Sequence, residues 1–142
     1  MPAPSTFAFR PSSLSGVTLT ELLITVLIMS ILAAIALPQY RKTMEVNYHQ
    51  QAQDLLTTIY YGERAYRLAN NKFVDPAGTW SAIFMDNPAV GAPPPITYAV
   101  TAANTTTFTA TATRAAGSGM CAGDAMTLNE NRSFGGSWLG CP

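Results

Sequence analysis

Apolar side chains dominate the chain from Val17 to Leu37, where Glu21 is the single charged residue. At about 1.5 Å of rise per residue, a helix of this length would span about 31 Å, which matches the thickness of a bilayer core. A charged side chain near the centre of such a span costs about 2.5–3.5 kcal/mol on insertion scales. The pattern therefore predicts a membrane-spanning helix in which Glu21 has a specific role.

Beyond Pro38 the pattern becomes amphipathic, with apolar or small residues recurring at spacings of three and four. Pro38 lacks a backbone donor and is expected to kink the helix, and Asn70-Asn71 is a typical stop signal. We predict one long helix from about Val17 to Ala69, roughly 80 Å long, whose second half packs on a globular head. The predicted stripe comprises Tyr48, Ala52, Leu55, Leu56, Ile59, Gly62, Tyr66 and Ala69.

Turn-forming residues are frequent from 71 to 95, and this segment contains three consecutive prolines at 93–95. The segment is predicted to be a connecting loop. Trp80, Ile83 and Phe84 are expected to anchor it on the head, and a ligand pocket around Trp80 is the less common alternative.

Alternating residues predict strands at 96–101 and 106–113, a third strand at 125–129 and a fourth at 133–138. The connections between them are short, which favours an antiparallel sheet. Its apolar face can cover the helix stripe. The predicted fold class is α+β, a long N-terminal helix laid on a small antiparallel sheet.

Charge and composition argue against several classes of function. The formal net charge is zero and only 11% of residues are charged, so the chain lacks the basic footprint typical of nucleic-acid binding. No phosphate-binding loop, metal-ligand cluster or nucleophile-plus-base signature is present. We therefore expect neither enzymatic activity nor a cofactor, and we expect the single histidine, His49, to be a solvated surface residue.

The segment from Ser15 through Gly16, Val17, Thr18 and Glu21, continuing to Tyr40, resembles the prepilin processing site of the type IV pilin family. Cleavage after Gly16 would make Glu21 the fifth residue of the mature chain and Pro38 the twenty-second. The resemblance implies cleavage by a prepilin peptidase at the cytoplasmic face, N-methylation of Val17 and assembly into a helical filament. Val17 stands where the family usually has phenylalanine.

That resemblance implies a type IV pilin fold with three regions: a cleaved leader at 1–16, a transmembrane and assembly half-helix at 17–42, and a periplasmic or extracellular head at 43–142. The head would contain helix 43–70, loop 71–95 and a sheet and disulfide region at 96–142. A secretory signal peptide is excluded because the apolar region follows the cleavage site. The leader departs from the family in being longer and less basic.

The implied location is the inner membrane, as a single-pass protein, and afterwards a pilus on the cell surface. Counting basic residues on both flanks of the span favours the opposite orientation, but the processing site places the head in the periplasm. The implied partners are copies of the chain, other pilins, the prepilin peptidase and methylase, and the inner-membrane assembly machinery. Adhesion, twitching motility and DNA uptake are the roles that filaments of this family serve.

Cys121 and Cys141 are the only cysteines and lie beyond the apolar segment. An even pair in an exported domain indicates a disulfide, and the pairing resembles the disulfide-bounded C-terminal region of pilins. A metal site is the lesser alternative because His49 is distant in sequence. Calcium is a minority alternative, with oxygen ligands from Asp124, Asn129, Glu130 and Asn131.

Two other functions stay open beside the pilus subunit. A pseudopilin of a type II secretion system would share the N-terminal motif, although the major pseudopilins use calcium where pilins use the disulfide. A DNA-receptor minor pilin is loosely similar in its C-terminal region, but the charge balance argues against DNA as a partner.

Glu21 and Pro38 are the residues for which the resemblance implies a role in assembly. We expect Glu21 to pair with the terminal amine of Val17 on a neighbouring subunit and so to fix the axial register of the filament. The alternatives are that Glu21 serves recognition by the peptidase or is held protonated. We further expect residues from about Ser30 to Pro38 to unwind on assembly.

Overall fold

The computed structural model describes residues 16–77, 79–88, 96–117 and 119–141. The leader predicted at 1–16, apart from Gly16, and the prolines at 93–95 lie outside these residues. The elements, in chain order, are helix α1 (Leu19–Asn70), a 3₁₀ turn (Trp80–Ile83), strands β1 (Ile96–Thr101), β2 (Thr109–Arg114), β3 (Ala125–Asn129) and β4 (Phe134–Gly135), and a second 3₁₀ turn (Ser137–Gly140).

Helix α1 begins and ends at residues whose chemistry favours those boundaries. The hydroxyl of Thr18 accepts a hydrogen bond from the backbone N–H of Glu21 at 3.3 Å, which satisfies one of the unpaired donors of the first turn. At the other end Asn71 adopts a positive φ of 56°, and its N–H donates to the carbonyl of Arg67 at 2.8 Å. An Asn in the left-handed conformation is a common helix terminator, so the predicted stop is confirmed.

The described chain divides into two compact units, one ending at Ala36 and the other beginning at Leu37. The described part of the first is the apolar half of α1. We call the second, Leu37–Pro142, the head unit. It contains the rest of α1, both 3₁₀ turns and the sheet.

The head unit has a four-stranded antiparallel sheet in the order β1-β2-β3-β4. In the register, Val100 pairs with Ala110 and Ala110 with Leu128, so buried side chains align across three strands. The sheet and the C-terminal disulfide between Cys121 and Cys141, together with the long apolar helix, confirm the α+β prediction in its general form.

One hydrophobic core joins α1 to the sheet. The helix contributes Ala52, Leu56 and Ile59, all fully buried, and the ring of Tyr60 lies 6.1 Å from that of Phe108. Gly62 lets the first 3₁₀ turn approach the helix closely, since a Cβ atom at this position would lie 2.5 Å from the carbonyl oxygen of Ile83. The predicted stripe is therefore correct at its centre, whereas Ala69 at its end is exposed.

Three local predictions are corrected by the structure. Strand β2 begins at Thr109 rather than at 106, because the side-chain oxygen of Asn104 accepts the backbone N–H groups of Thr106 and Thr107, both at 2.8 Å, and holds them in a turn. Trp80 and Ile83 are buried as expected, but Phe84 is 78% exposed. Instead of a strand across 133–138, only Phe134–Gly135 pairs, and Trp138 is buried on a 3₁₀ turn.

Candidate functional site

The apolar half of α1 leaves its side chains exposed. Every residue from Gly16 to Thr43 is exposed, with Leu19 at 78% and Leu27 at 59%. By length and composition this helix could cross a membrane. Because contiguous apolar surface of this extent marks a contact with lipid or protein, the segment is a candidate assembly or membrane surface.

Two hydroxyl groups within the apolar run are satisfied by the helix itself. Thr25 donates to the carbonyl of Leu22 at 2.8 Å, and Ser30 donates to the carbonyl of Leu27 at 2.7 Å. Polar groups that lack a partner in lipid cost several kcal/mol. These bonds make both residues compatible with an apolar surrounding.

Glu21 occupies the first turn of α1. Its backbone N–H bonds to the carbonyl of Thr18 at 3.1 Å and to the Thr18 hydroxyl, and Thr and Glu at this spacing form the pattern of a capping box. A carboxylate at a helix N-terminus also interacts favourably with the helix dipole. Among the described residues no side chain or backbone donor bonds to the Glu21 carboxylate, so local structure accounts for its position and leaves its charge unmatched.

Gly16 and Val17 lie in non-helical backbone directly before this turn, and both are exposed. A Cβ atom placed on Gly16 would meet nothing within 4 Å. The structure therefore presents Gly16, Val17 and Glu21 together on one accessible stretch.

Pro38 and the two cysteines belong to the head unit.

Pro38 lies inside α1, which is helical on both sides of it. Because proline has no N–H, the carbonyl of Ala34 lacks its usual helical donor. The expected unwinding of residues 30–38 concerns assembled subunits and stays a prediction.

The disulfide between Cys121 and Cys141 is confirmed, with Cα atoms 5.9 Å apart. Cys121 is buried, and the disulfide fixes Cys141, near the end of the chain, to the head unit. A carboxylate oxygen of Asp124 lies within 4.8 Å of both sulfur atoms. Since metal ligation by cysteine requires thiolates, this group does not form a cysteine–aspartate metal site in its oxidised state.

The other side chains considered for calcium are engaged in the turn between β3 and β4. The Asn129 side-chain oxygen accepts the backbone N–H groups of Asn131 at 3.1 Å and of Ser133 at 2.9 Å. The Asn131 amide donates to Glu130 at 3.1 Å. These bonds give the residues a structural role as turn-stabilising groups.

Two buried carboxylates are absent from the sequence-based expectations. Glu45, 5% exposed, accepts two hydrogen bonds from the Arg114 guanidinium, at 3.2 Å from Nε and 3.1 Å from Nη2. The guanidinium also lies over the ring of Tyr48, 4.4 Å from its centre. This bidentate pair ties α1 to the end of β2.

Glu63 is fully buried. Its Oε2 atom accepts the backbone N–H of Val74 at 3.0 Å, whereas Oε1 has no hydrogen-bond partner among the described residues. Burial raises the pKa of Glu63 to about 7; the Val74 hydrogen bond acts in the opposite direction and Asp75 adds to the increase. A helical period alone marks positions 45 and 63 as inward-facing, but carboxylates are seldom assigned to a core.

His49 differs from the solvated residue that we expected. It is half-buried, and its ring meets that of Trp138 edge-on, with centroids 6.1 Å apart. It is therefore a packing residue between α1 and the second 3₁₀ turn.

No protein-family model matches the chain, and no curated protein matches it significantly.

Proposed function

We propose that this chain is a structural subunit of a type IV pilus filament. The observation that carries the proposal is the apolar half of α1, exposed along its whole length, with one unmatched carboxylate five residues after Gly16. A membrane anchor alone would be more stable without Glu21. In a bundle of identical helices, the charge of Glu21 can pair with a cation on a neighbouring helix.

In the proposed pathway the peptidase cuts after Gly16 and the new amine of Val17 is methylated. The mature chain resides in the inner membrane as a single-pass protein with its head unit in the periplasm, and then enters the filament. Apolar contacts alone permit axial slip between helices. A Glu21 carboxylate that meets the terminal amine of a neighbour favours one offset, in the way that single polar groups fix register in coiled coils.

The head unit supports a pilus over a secretion pseudopilus. Its C-terminal segment is closed by a disulfide. Pilins of this family have a disulfide in that region, whereas the major pseudopilins have a calcium site there. The oxygen-bearing side chains at 129–131 instead stabilise the β3–β4 turn. These two observations make the pseudopilin the second choice.

A DNA-receptor role gains little from four arginines of the head unit, which already contact other side chains within it. The guanidinium of Arg64 lies over Tyr60, that of Arg67 over Phe73 and that of Arg132 over Tyr61, and Arg114 is paired with Glu45. Nucleic-acid binding draws on several lysines and arginines that neutralise phosphates and so release the counterions condensed on the nucleic acid. Filament assembly is therefore the proposed activity, and adhesion and motility would follow from it.

The experiment is a deletion of the gene in the cells that produce the protein, complemented with wild type, Gly16→Ile or Ser15→Ala. Mass spectrometry of the recovered protein should find a chain beginning at a methylated Val17 for wild type and for Ser15→Ala. Gly16→Ile should leave an uncut precursor in the membrane, and electron microscopy should find fewer filaments or none. Abundant filaments containing uncut Gly16→Ile protein would refute the proposal.

A further inference from the structure

An open cleft lies within the head unit where α1 emerges from its apolar run. It has a volume of about 390 Å³ and is formed by one side of α1 together with Arg114, Gly119 and Met120. This size lies in the range of small-molecule sites, about 300–1,000 Å³. Its lining from α1 begins with Tyr40 and Arg41, which follow Leu37 by about one helical turn.

The floor of the cleft carries one positive and one negative charge, which are paired with each other. It consists of the buried Glu45–Arg114 pair, with Tyr48 beneath the guanidinium. Gly119 packs directly on this pair, because a Cβ atom there would lie 2.5 Å from Glu45 Oε1 and 3.1 Å from Arg114 Nη2. The floor therefore gives shape to the cleft and adds no unmatched charge.

The rim has a different chemistry, apolar and cationic together. Tyr40 is 63% exposed and Met120 is 58% exposed, and Arg41 is exposed beside them. Within the described chain Arg41 makes no hydrogen bond, ion pair or ring contact. The ligand that fits such a rim carries an anionic group next to apolar chains.

We propose that this cleft binds the headgroup of an anionic phospholipid while the chain is in the membrane. Arg41 contacts the phosphate, Tyr40 lies at the level of the headgroups, and Met120 covers the first carbons of the lipid. Amphipathic aromatic and basic residues at the end of an apolar span are typical of this depth. The proposal rests on the membrane-inserted state of the proposed function and adds a lipid preference to it.

Lys42 is the matched control that the chain offers. It carries the same charge at the next position and is also exposed, but it does not line the cleft. A general attraction of basic residues to an anionic surface would treat Arg41 and Lys42 alike. A headgroup site would depend on Arg41 alone.

The test uses the full chain reconstituted in phosphatidylcholine vesicles, with spin-labelled phosphatidylglycerol or phosphatidylcholine bearing the same acyl chains. Electron paramagnetic resonance measures the fraction of each probe held by the protein, for wild type, Arg41→Gln and Lys42→Gln. We expect wild type to prefer phosphatidylglycerol, Arg41→Gln to lower that preference about fivefold, and Lys42→Gln to change it less than twofold. A fivefold change in preference corresponds to about 1 kcal/mol.

Equal losses in the two variants, or no preference in wild type, would overturn the headgroup site. So would a lipid preference that is unaffected by Arg41→Gln when the same variant loses filaments, because the cleft would then serve a neighbouring subunit. Vesicle flotation separates these outcomes from failure of the proposed function: a wild-type chain that does not float with vesicles contradicts membrane insertion itself.

Discussion

At the scale of single residues, Glu63 should make the stability of the head unit depend on pH. Its pKa rises from 4.5 to about 7 on folding, chiefly because burial penalises the charged carboxylate. Above pH 4.5 the unfolded chain ionises this group while the folded chain resists doing so. The free energy of unfolding therefore falls as pH rises from about 4.5 to about 7 and then stays level.

Glu63→Gln should remove this dependence, because the amide oxygen can still accept the Val74 N–H and nothing titrates. Relative to the variant, wild type should lose stability between pH 5 and pH 8, by at most about 3 kcal/mol at about 1.4 kcal/mol per pKa unit. Thermal unfolding of the detergent-solubilised chain at both pH values measures this loss of stability. The control is Glu130→Gln, which alters an incompletely buried carboxylate in a turn. Parallel pH profiles for wild type and Glu63→Gln would contradict this account.

Residues that stand out in the local sequence could be singled out from it, whereas pairings with distant partners could not. Glu21 is notable from sequence because one charge interrupts an apolar run. The cysteine pair follows from its number and position. Glu45 pairs with a residue 69 positions away, and Glu63 is buried against a loop 11 positions on, so neither partner is visible from periodicity.

At the scale of elements, the contact between α1 and the first 3₁₀ turn depends on Gly62. Gly62→Ala should push Ile83 out of its place, since the added methyl group would meet the Ile83 carbonyl oxygen at 2.5 Å. Overpacking of this kind costs about 1–3 kcal/mol. Chemical denaturation should show a lowered midpoint for Gly62→Ala and little change for Gly140→Ala, where nothing lies within 4 Å. Equal midpoints for the two variants would argue against the close contact.

Element boundaries were predictable where alternation alone decides them. Strands β1 and β3 match their predicted bounds, since each alternates buried and less buried residues with turn signals outside it. Strand β2 starts late because one asparagine side chain captures two backbone donors. Gly136, at a φ of 104°, redirects the chain after β4 and brings Trp138 into the core. The alternation of apolar and polar residues does not predict this change of direction.

At the scale of the whole molecule, the hydrophobic core formed by the described residues lies in the head unit. All of its buried residues fall between Ala52 and Trp138, whereas most of the exposed large apolar side chains lie between Val17 and Tyr40. A fragment beginning at Thr43 keeps the core, the Glu45–Arg114 pair and the disulfide. It should fold and remain a monomer, as judged by circular dichroism and by size-exclusion chromatography with light scattering. Large assemblies of this fragment would show that the head itself carries the filament contacts.

We propose that the charge of Glu21 sets the register of a filament, and two substitutions separate this role from the local role of Glu21 at the start of α1. Glu21→Gln removes the charge but keeps the shape and the capping pattern, which accepts Gln as well as Glu. Thr18→Ala removes the hydroxyl that bonds to the Glu21 N–H and keeps the charge. Loss of such a cap weakens a helix by about 0.5–2 kcal/mol.

The decisive measurement is the yield of sheared filaments per amount of cleaved protein in the membrane, for wild type and these two variants. We predict that Glu21→Gln is cleaved after Gly16 and accumulates in the membrane but gives few or no filaments, whereas Thr18→Ala assembles. Normal filament yield from cleaved Glu21→Gln protein would contradict the register role, and failure of its cleavage would assign Glu21 to recognition by the peptidase instead.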